Sequence, residues 1–351
     1  MTDSYPPVIN GVSYVVEHLA REMARVGHTV EVATINDKMA LYEVALVNGV
    51  IVKRFLGFRP AGSYHIPTPG IFRALGERHD IVHVHNFHSV MPLVSSSKLI
   101  TKQRDTRWVV TPHFHVPGHH PHSRIAWLMY KPLLARSIPR FDFIHCVSRW
   151  ESNQVFQHFG VRSIVIGNGV DEDVYSHTWT GPSEGDIEIT FVGRLDEYKR
   201  ADLVLEAAKL LSSKGHSTRI NIVGTGPKRG DLQRLARGYG LNLNMVRRLP
   251  REQLLNLVAR SSCVVNPSQF EAYSLAVAEA LAMGVPAVIT YPWGINFSEY
   301  PRALLVEPDP ASIADGILKA QLAGSAPFRR VPVWSQVVQE MCNRIYSVGQ
   351  G

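Results

Sequence analysis

The chain has 351 residues, 45% of them hydrophobic and 19% charged, which excludes a disordered protein and leaves room for two α/β domains with separate cores. No run of about 18 apolar residues occurs, and the opening MTDSYPPVING lacks a basic patch followed by an apolar stretch, so neither a spanning helix nor a signal peptide is expected. A net charge of +7 favours anionic partners such as nucleic acid, acidic lipid or phosphorylated small molecules, while three scattered cysteines (Cys146, Cys263, Cys342) argue for a reducing compartment over a disulfide framework.

In chain order, the first feature is YPPVINGVSYVVEHLAREM, where Asn10-Gly11 runs into a helical period with Ser13 as the expected N-cap. A glycine at the mouth of a helix lets backbone N–H groups approach an anion, although Asn-Gly pairs also serve as plain turns. A doubly wound domain normally opens with a strand before such a loop. None precedes it here, so either the first strand is missing or the start lies upstream. Strands are predicted at 28–35, 80–85, 108–111, 143–148 and 163–167, with a second series at 187–193, 219–224, 263–267, 286–290 and 303–307. Most are near-continuous apolar runs, as strands buried on both faces are. Amphipathic helices separate them, among them KRADLVLEAAKLLSSKG, which closes at Gly215. Residues 167–186 are rich in Gly, Asp and Ser and carry no strand or helix period, so the crossing between domains is placed there. A helical period returns in VWSQVVQEMCNRIYSVG at the end. Strand-helix alternation on this pattern predicts two parallel, doubly wound sheets.

Four stretches carry candidate chemistry. FVGRLDEYKR places Arg194 and Lys199 just past a buried strand, the edge at which such sheets bind ligands. A forked guanidinium and a compact ammonium suit a diphosphate, and cations opening a helix oppose its dipole unless an anion is near; a solvated basic turn is the alternative. In EAYSLAVAE, Glu271 and Glu279 would stand roughly 12 Å apart on one helix, too far for a glycosidase pair at about 5–9.5 Å. A helix starting near Ser274 fits better: Glu271 lies on the loop, the Ser274 and Leu275 amides face an anion, and Glu279 lies inward among apolar neighbours. The histidine-rich TPHFHVPGHHPHS (His113, His115, His119, His120, His122) lacks helical metal-ligand spacing and a nearby cysteine, so no metal is assigned; His113 alone follows a strand directly at the ligand edge. Finally, RIAWLMYKPLLARSIPR at 124–140 reads either as a helix with a core-facing apolar side or as a surface that rests on anionic membrane. No Gly-x-Gly-x-x-Gly follows a first strand, which makes a nicotinamide-dependent dehydrogenase a poor fit, and no nucleic-acid motif accompanies the charge.

Taken together, PPVINGVSYVVEHLAREMARVGHTVEV, DIVHVHNF, VVTPHF, CVSRWE, GNGVD, FVGRLDEYKR, IVGTGP and NPSQFEAYSLAVAEALAMGVPAV resemble the family 4 retaining glycosyltransferases of the GT-B fold, the group of phosphatidylinositol mannosyltransferases and glycogen synthase-like enzymes. The likeness implies two Rossmann-like domains facing a deep cleft. Residues 1–166 plus 333–351 form the acceptor-side domain, with the last helix crossing back to it, and 167–332 form the nucleotide-sugar domain. It implies that Arg194 and Lys199 bind the donor diphosphate, that Glu279 holds the ribose, and that Glu271 lies near the transferred sugar with the Ser274 and Leu275 amides. Gly11 then belongs to a phosphate-touching loop, and His113 stands beside the anomeric carbon. The expected partners are a nucleotide-sugar donor and a glycan, lipid-linked or small-molecule acceptor, with no metal or other cofactor. The expected location is cytoplasmic, with a peripheral place at the inner membrane face left open. Two readings compete with this one: a GT-B nucleotide-sugar epimerase or hydrolase, and a non-catalytic glycosyltransferase-like partner of another enzyme.

Overall fold

Parallel strands with helical crossovers form two compact units in a computed structural model, Met1–Asn168 with Trp334–Gly351 and Gly169–Val333. It describes residues 1–8, 10–36, 42–61, 64–68, 70–99, 105–115, 121–181, 185–323 and 327–347; His119 and His120 lie outside them.

The first unit contains α1 (Gly11–Arg25), β1 (Glu31–Asn36), β2 (Tyr42–Val47), β3 (Val50–Ala61), β4 (Tyr64–Pro67), α2 (Ile71–Gly76), β5 (Ile81–His85), α3 (Met91–Leu99), β6 (Arg107–Thr111), α4 (Pro121–Ser137), β7 (Phe143–Cys146), α5 (Arg149–Phe159) and β8 (Ile164–Val165). Strands β5-β6-β7-β8 are parallel neighbours, while β3 pairs parallel with β1 and antiparallel with β2 and β4. The position expected of a missing first strand is partly filled. Thr2 N donates to Ala33 O of β1 at 3.0 Å, and Met1 O accepts from His85 N of β5 at 2.9 Å, so the first two residues bridge the two sets of strands. The cap of α1 also differs from expectation. Asn10, not Ser13, caps the helix: its side chain accepts from Ser13 N at 2.8 Å, while Ser13 Oγ donates to Val8 O at 2.7 Å. Around β5 and β6 lies an apolar core that includes Val84, Phe87, Met91, Val110, Phe114 and Leu134.

The second unit contains β9 (Ile187–Val192), α6 (Ala201–Ser213), β10 (Thr218–Val223), α7 (Arg229–Gly238), β11 (Asn242–Val246), α8 (Arg251–Arg260), β12 (Cys263–Asn266), α9 (Leu275–Ala282), β13 (Ala287–Thr290), β14 (Ala303–Val306) and α10 (Pro310–Ala320). Its six strands run parallel in the order β11-β10-β9-β12-β13-β14. The chain therefore winds one way from β9 to β11 and then returns to the other side of β9 at β12. Between β9 and β12 the direction of winding reverses, the place where open α/β sheets take ligands. The helix α11 (Trp334–Met341) rejoins the first unit, where Trp334 packs on His18 at 5.3 Å and Tyr14 at 6.4 Å between ring centroids. Among the described residues, no helix is long and apolar enough to cross a membrane.

Candidate functional site

Two loops at that reversal, following β9 and β12, hold most of the residues singled out in the sequence. The loop after β9 is fixed by close backbone packing. Gly193 N donates to Val223 O at 3.0 Å and Leu195 N to Thr225 O at 2.8 Å. A Cβ at Gly224 would fall 1.8 Å from Gly193 O, and one at Gly226 would fall 2.5 Å from Leu195 O, so IVGTGP needs both glycines for this contact. Arg194 projects from the fixed loop with a side chain 66% exposed and a 2.6 Å ion pair to Asp196.

Lys199 ends a short 3-10 turn, Glu197–Lys199, and α6 begins two residues later behind Arg200, which sits at φ 49°. Both cations have acidic partners: Arg200 pairs with Asp202 at 2.9 Å, and the Lys199 ammonium pairs with Glu271 on the loop after β12. The dipole cost argued from sequence is thus answered within the protein. Burial alone would lower the Lys199 pKa, but Glu271 and Tyr198 outweigh it and hold the ammonium above its ordinary range. The Tyr198 ring stacks on Phe270 at 4.8 Å and covers the pair from one side.

From Glu271 a polar chain leads to the helix end. Glu271 Oε1 accepts from Ser268 Oγ at 2.9 Å, Ser268 Oγ lies 2.6 Å from Asn266 Oδ1, and Asn266 Nδ2 donates to Ser274 Oγ at 2.9 Å. Ser274 is the N-cap of α9, its hydroxyl accepting from Val277 N. The first amides of a helix have no carbonyl four residues back to bond. Those of Leu275 and Ala276 therefore open at the sheet edge with a positive dipole end behind them. Glu279 lies one turn further in. Burial raises its pKa against the opposing pull of Arg251, whose Nη1 is 2.5 Å from Glu279 Oε1 and which also reaches Asp173 at 3.2 Å. Arg251 was not singled out in the sequence. It lies 28 positions before Glu279, and only the fold of the second unit brings the start of α8 to this carboxyl on α9.

The first unit holds Gly11 and His113. Gly11 is the first residue of α1, and a Cβ there would meet no heavy atom within 4 Å, so internal packing does not demand glycine and space lies open at this helix mouth. His113 follows β6 at φ 45°, a left-handed conformation that is uncommon for a side chain of this kind and tends to cluster at functional sites. It is buried, with Nε2 3.1 Å from His85 Nδ1. Burial, reinforced by His145, pushes its pKa down to about 3, so it is a neutral imidazole. The loop behind it is pinned by Glu151. Its carboxyl accepts from Phe114 N and from Val147 N, each at 2.6 Å, and burial outweighs those bonds to raise its pKa to about 8. Sequence reasoning missed both His85 and Glu151. The Ser148-x-x-Glu151 spacing of a capping box was the available signal. A further, partly buried chain runs from Tyr346 Oη through His83 (2.5 Å), Thr111 (2.6 Å) and His145 (2.8 Å) to Ile166 O (2.9 Å).

Among the described residues, one group has spacing for a metal ion: Glu31, Glu77 and His79 in the first unit. The Lys53 ammonium already sits there, at 2.8 Å from Glu31 and 2.6 Å from Glu77.

Comparison with known proteins follows the same division. Residues 9–174 match the pattern of "Glycosyltransferase Family 4" and residues 178–323 that of "Glycosyl transferases group 1". The chain is 23% identical over 343 residues to the phosphatidylinositol N-acetylglucosaminyltransferase GPI3 subunit of Saccharomyces cerevisiae, covering 90% of this chain and 72% of that one. It is 26% identical over 353 residues to the D-inositol 3-phosphate glycosyltransferase of Geodermatophilus obscurus, covering 87% and 76%. Among solved structures it resembles the sucrose-phosphate synthase of Thermosynechococcus elongatus, with a TM-score of 0.73, 17% identity and coverage of 95% and 92%. An Anabaena protein, HepE, bound to UDP and glucose gives a TM-score of 0.72 with 15% identity over 99% of both chains.

Proposed function

The chain belongs to family 4 of the glycosyltransferases, with the GT-B fold, and we propose that it transfers a hexose, with retention of anomeric configuration, from a nucleoside diphosphate sugar to a hydroxyl of a glycan, lipid-linked or small-molecule acceptor. The observation that carries the donor assignment is the polar chain Lys199–Glu271–Ser268–Asn266–Ser274, which locks an ammonium to an open helix N-terminus where the winding of the sheet reverses. A diphosphate arriving there meets Arg194, Lys199 and the Leu275 amide, all charged or polarised toward an anion. Because Glu271 keeps Lys199 fully protonated, its charge is available throughout the physiological pH range.

In the reaction, the bond between the anomeric carbon and the diphosphate oxygen breaks, and the diphosphate leaves with the electron pair. The acceptor hydroxyl bonds to the same face of the carbon and gives its proton to the departing phosphate. Negative charge grows on the diphosphate in the transition state, and preorganised cations and amides lower the barrier by several kcal/mol. Glu279, held by Arg251, serves the ribose hydroxyls, and Glu271 serves those of the sugar. On the first unit, neutral His113 serves the transferred sugar and Gly11 the phosphate. This reading assigns no metal, because side chains and amides meet the diphosphate charge. A second reading draws on relatives named as subunits of phosphatidylinositol N-acetylglucosaminyltransferase: the chain acts within an assembly and supplies the donor-binding part.

A thermal-shift screen with UDP, GDP, ADP and their sugars tests the proposal. One donor class is expected to raise the melting temperature in proportion to the logarithm of its concentration. A flat response to every nucleotide would reject donor binding.

A further inference from the structure

The helix α4 is apolar on two opposite faces. One face, with Trp127, Tyr130 and Leu134, is buried in the core of the first unit. The other carries Ile125, Leu128, Met129 and Leu133, which are 61%, 69%, 74% and 52% exposed, with Pro132 also exposed among them. Their spacing of three and four places them in one stripe along the helix. Arg136 continues the stripe one turn on, and Arg140 follows in the short turn Ile138–Arg140; both are exposed. No Asp or Glu occurs between Asp105 and Asp142. Four large apolar side chains on one solvent-facing stripe exceed the scattered exposure that a soluble surface carries by chance.

We propose that this face of α4 docks on an anionic lipid bilayer, the aliphatic side chains entering the headgroup boundary and Arg136 and Arg140 meeting lipid phosphates. A second copy of the chain fits the same face poorly. A two-fold contact would bring the stripe against itself and set one basic, acid-free segment against another, with no acid from this segment to offset the charge. A bilayer surface supplies both missing features, an apolar boundary and negative charge. The proposal rests on the exposed face alone and stands whether or not the donor assignment holds.

The test is co-sedimentation of the full chain with vesicles of phosphatidylcholine containing phosphatidylglycerol, and with vesicles of phosphatidylcholine alone. Binding to the anionic vesicles is expected, weakening as salt rises, with little binding to the neutral ones. Replacing Leu128→Glu and Met129→Glu together is expected to cut the vesicle partition about tenfold or more. Both side chains are largely exposed, so the melting temperature should be unchanged. Should the double variant misfold, Arg136→Glu alone is expected to weaken binding to anionic vesicles several-fold. Leu322→Glu, 79% exposed on the second unit, should have no effect. Three results would overturn the proposal: no binding to either vesicle, binding that both α4 variants retain, or a wild-type dimer in sedimentation velocity that Leu128→Glu with Met129→Glu dissociates.

Discussion

Acidification should unfold the first unit well before carboxylate protonation alone would do so. Five imidazoles there are held in their neutral form, His85, His113 and His145 buried and His83 and His88 half-buried. Burial holds His113 at about 3 and His145 at about 4, and it pushes His83, His85 and His88 well below the ordinary 6.5. Below pH 6.5 the unfolded chain takes up protons at these sites while the fold does not, so their stabilisation is complete above 6.5 and is lost as the pH falls. Glu151 acts in the opposite sense. Its folded pKa of about 8 exceeds the ordinary 4.5, so its contribution is present at low pH and is lost as the pH rises from 4.5 to 8. Each proton of difference is worth about 1.4 kcal/mol per pH unit. His113 and His145 less Glu151 leave one proton, or about 3 kcal/mol between pH 6.5 and 4.5. His83, His85 and His88, shifted in the same direction, add to this loss, against a whole-domain stability of about 5–15 kcal/mol. In the second unit the raised pKa of buried Glu279 has the reverse sign, giving a small gain on acidification. Calorimetric unfolding at half-unit steps from pH 7.5 to 4.5 should show a transition that falls steeply below 6.5, and His145→Gln should make that slope shallower by one proton. A transition that holds or rises over this range would refute the picture of a neutral buried histidine cluster.

Other consequences concern the proposed donor site. Arg251→Ala leaves Glu279 buried beside Asp171 and Asp173 with its cation removed. Denaturant titration should show a loss of about 1–3 kcal/mol, below that of a fully buried pair because the guanidinium is partly solvated. Gly224→Ala drives a Cβ into Gly193 O, so a loss of about 1–3 kcal/mol is expected together with weaker nucleotide binding, since the displaced loop carries Arg194. Turnover should persist in excess chelator, and its collapse there would show that a metal ion shares the diphosphate's charge.

The second unit was largely legible in the sequence because its strands are buried on both faces. CVVN and AVIT are buried at every position and read as uninterrupted apolar runs. What escaped were strands with a wet side. In β2, YEVALV has no fully buried residue, and β11, NLNMV, lies at the sheet edge with its polar residues exposed. The β2–β3 hairpin did leave a signal, the Asn48-Gly49 pair at φ 51° and 79° between β-branched runs. At the site, Arg194, Lys199 and Glu271 could be picked out because charged residues on loops after buried strands have few structural reasons to be there, and Glu279 because its helical neighbours are apolar. The pairings could not. Lys199 meets Glu271 across 72 positions and Arg251 meets Glu279 across 28, and only the sheet order brings them together.

The central claim is that Lys199, fixed by Glu271 at the mouth of α9, stabilises the leaving diphosphate. Steady-state turnover of the donor by Lys199→Ala measures this most directly, with circular dichroism to establish that the variant is folded. The account predicts a fall in kcat of about 100-fold or more, with a smaller change in KM. A kcat within a few-fold of wild type would contradict it.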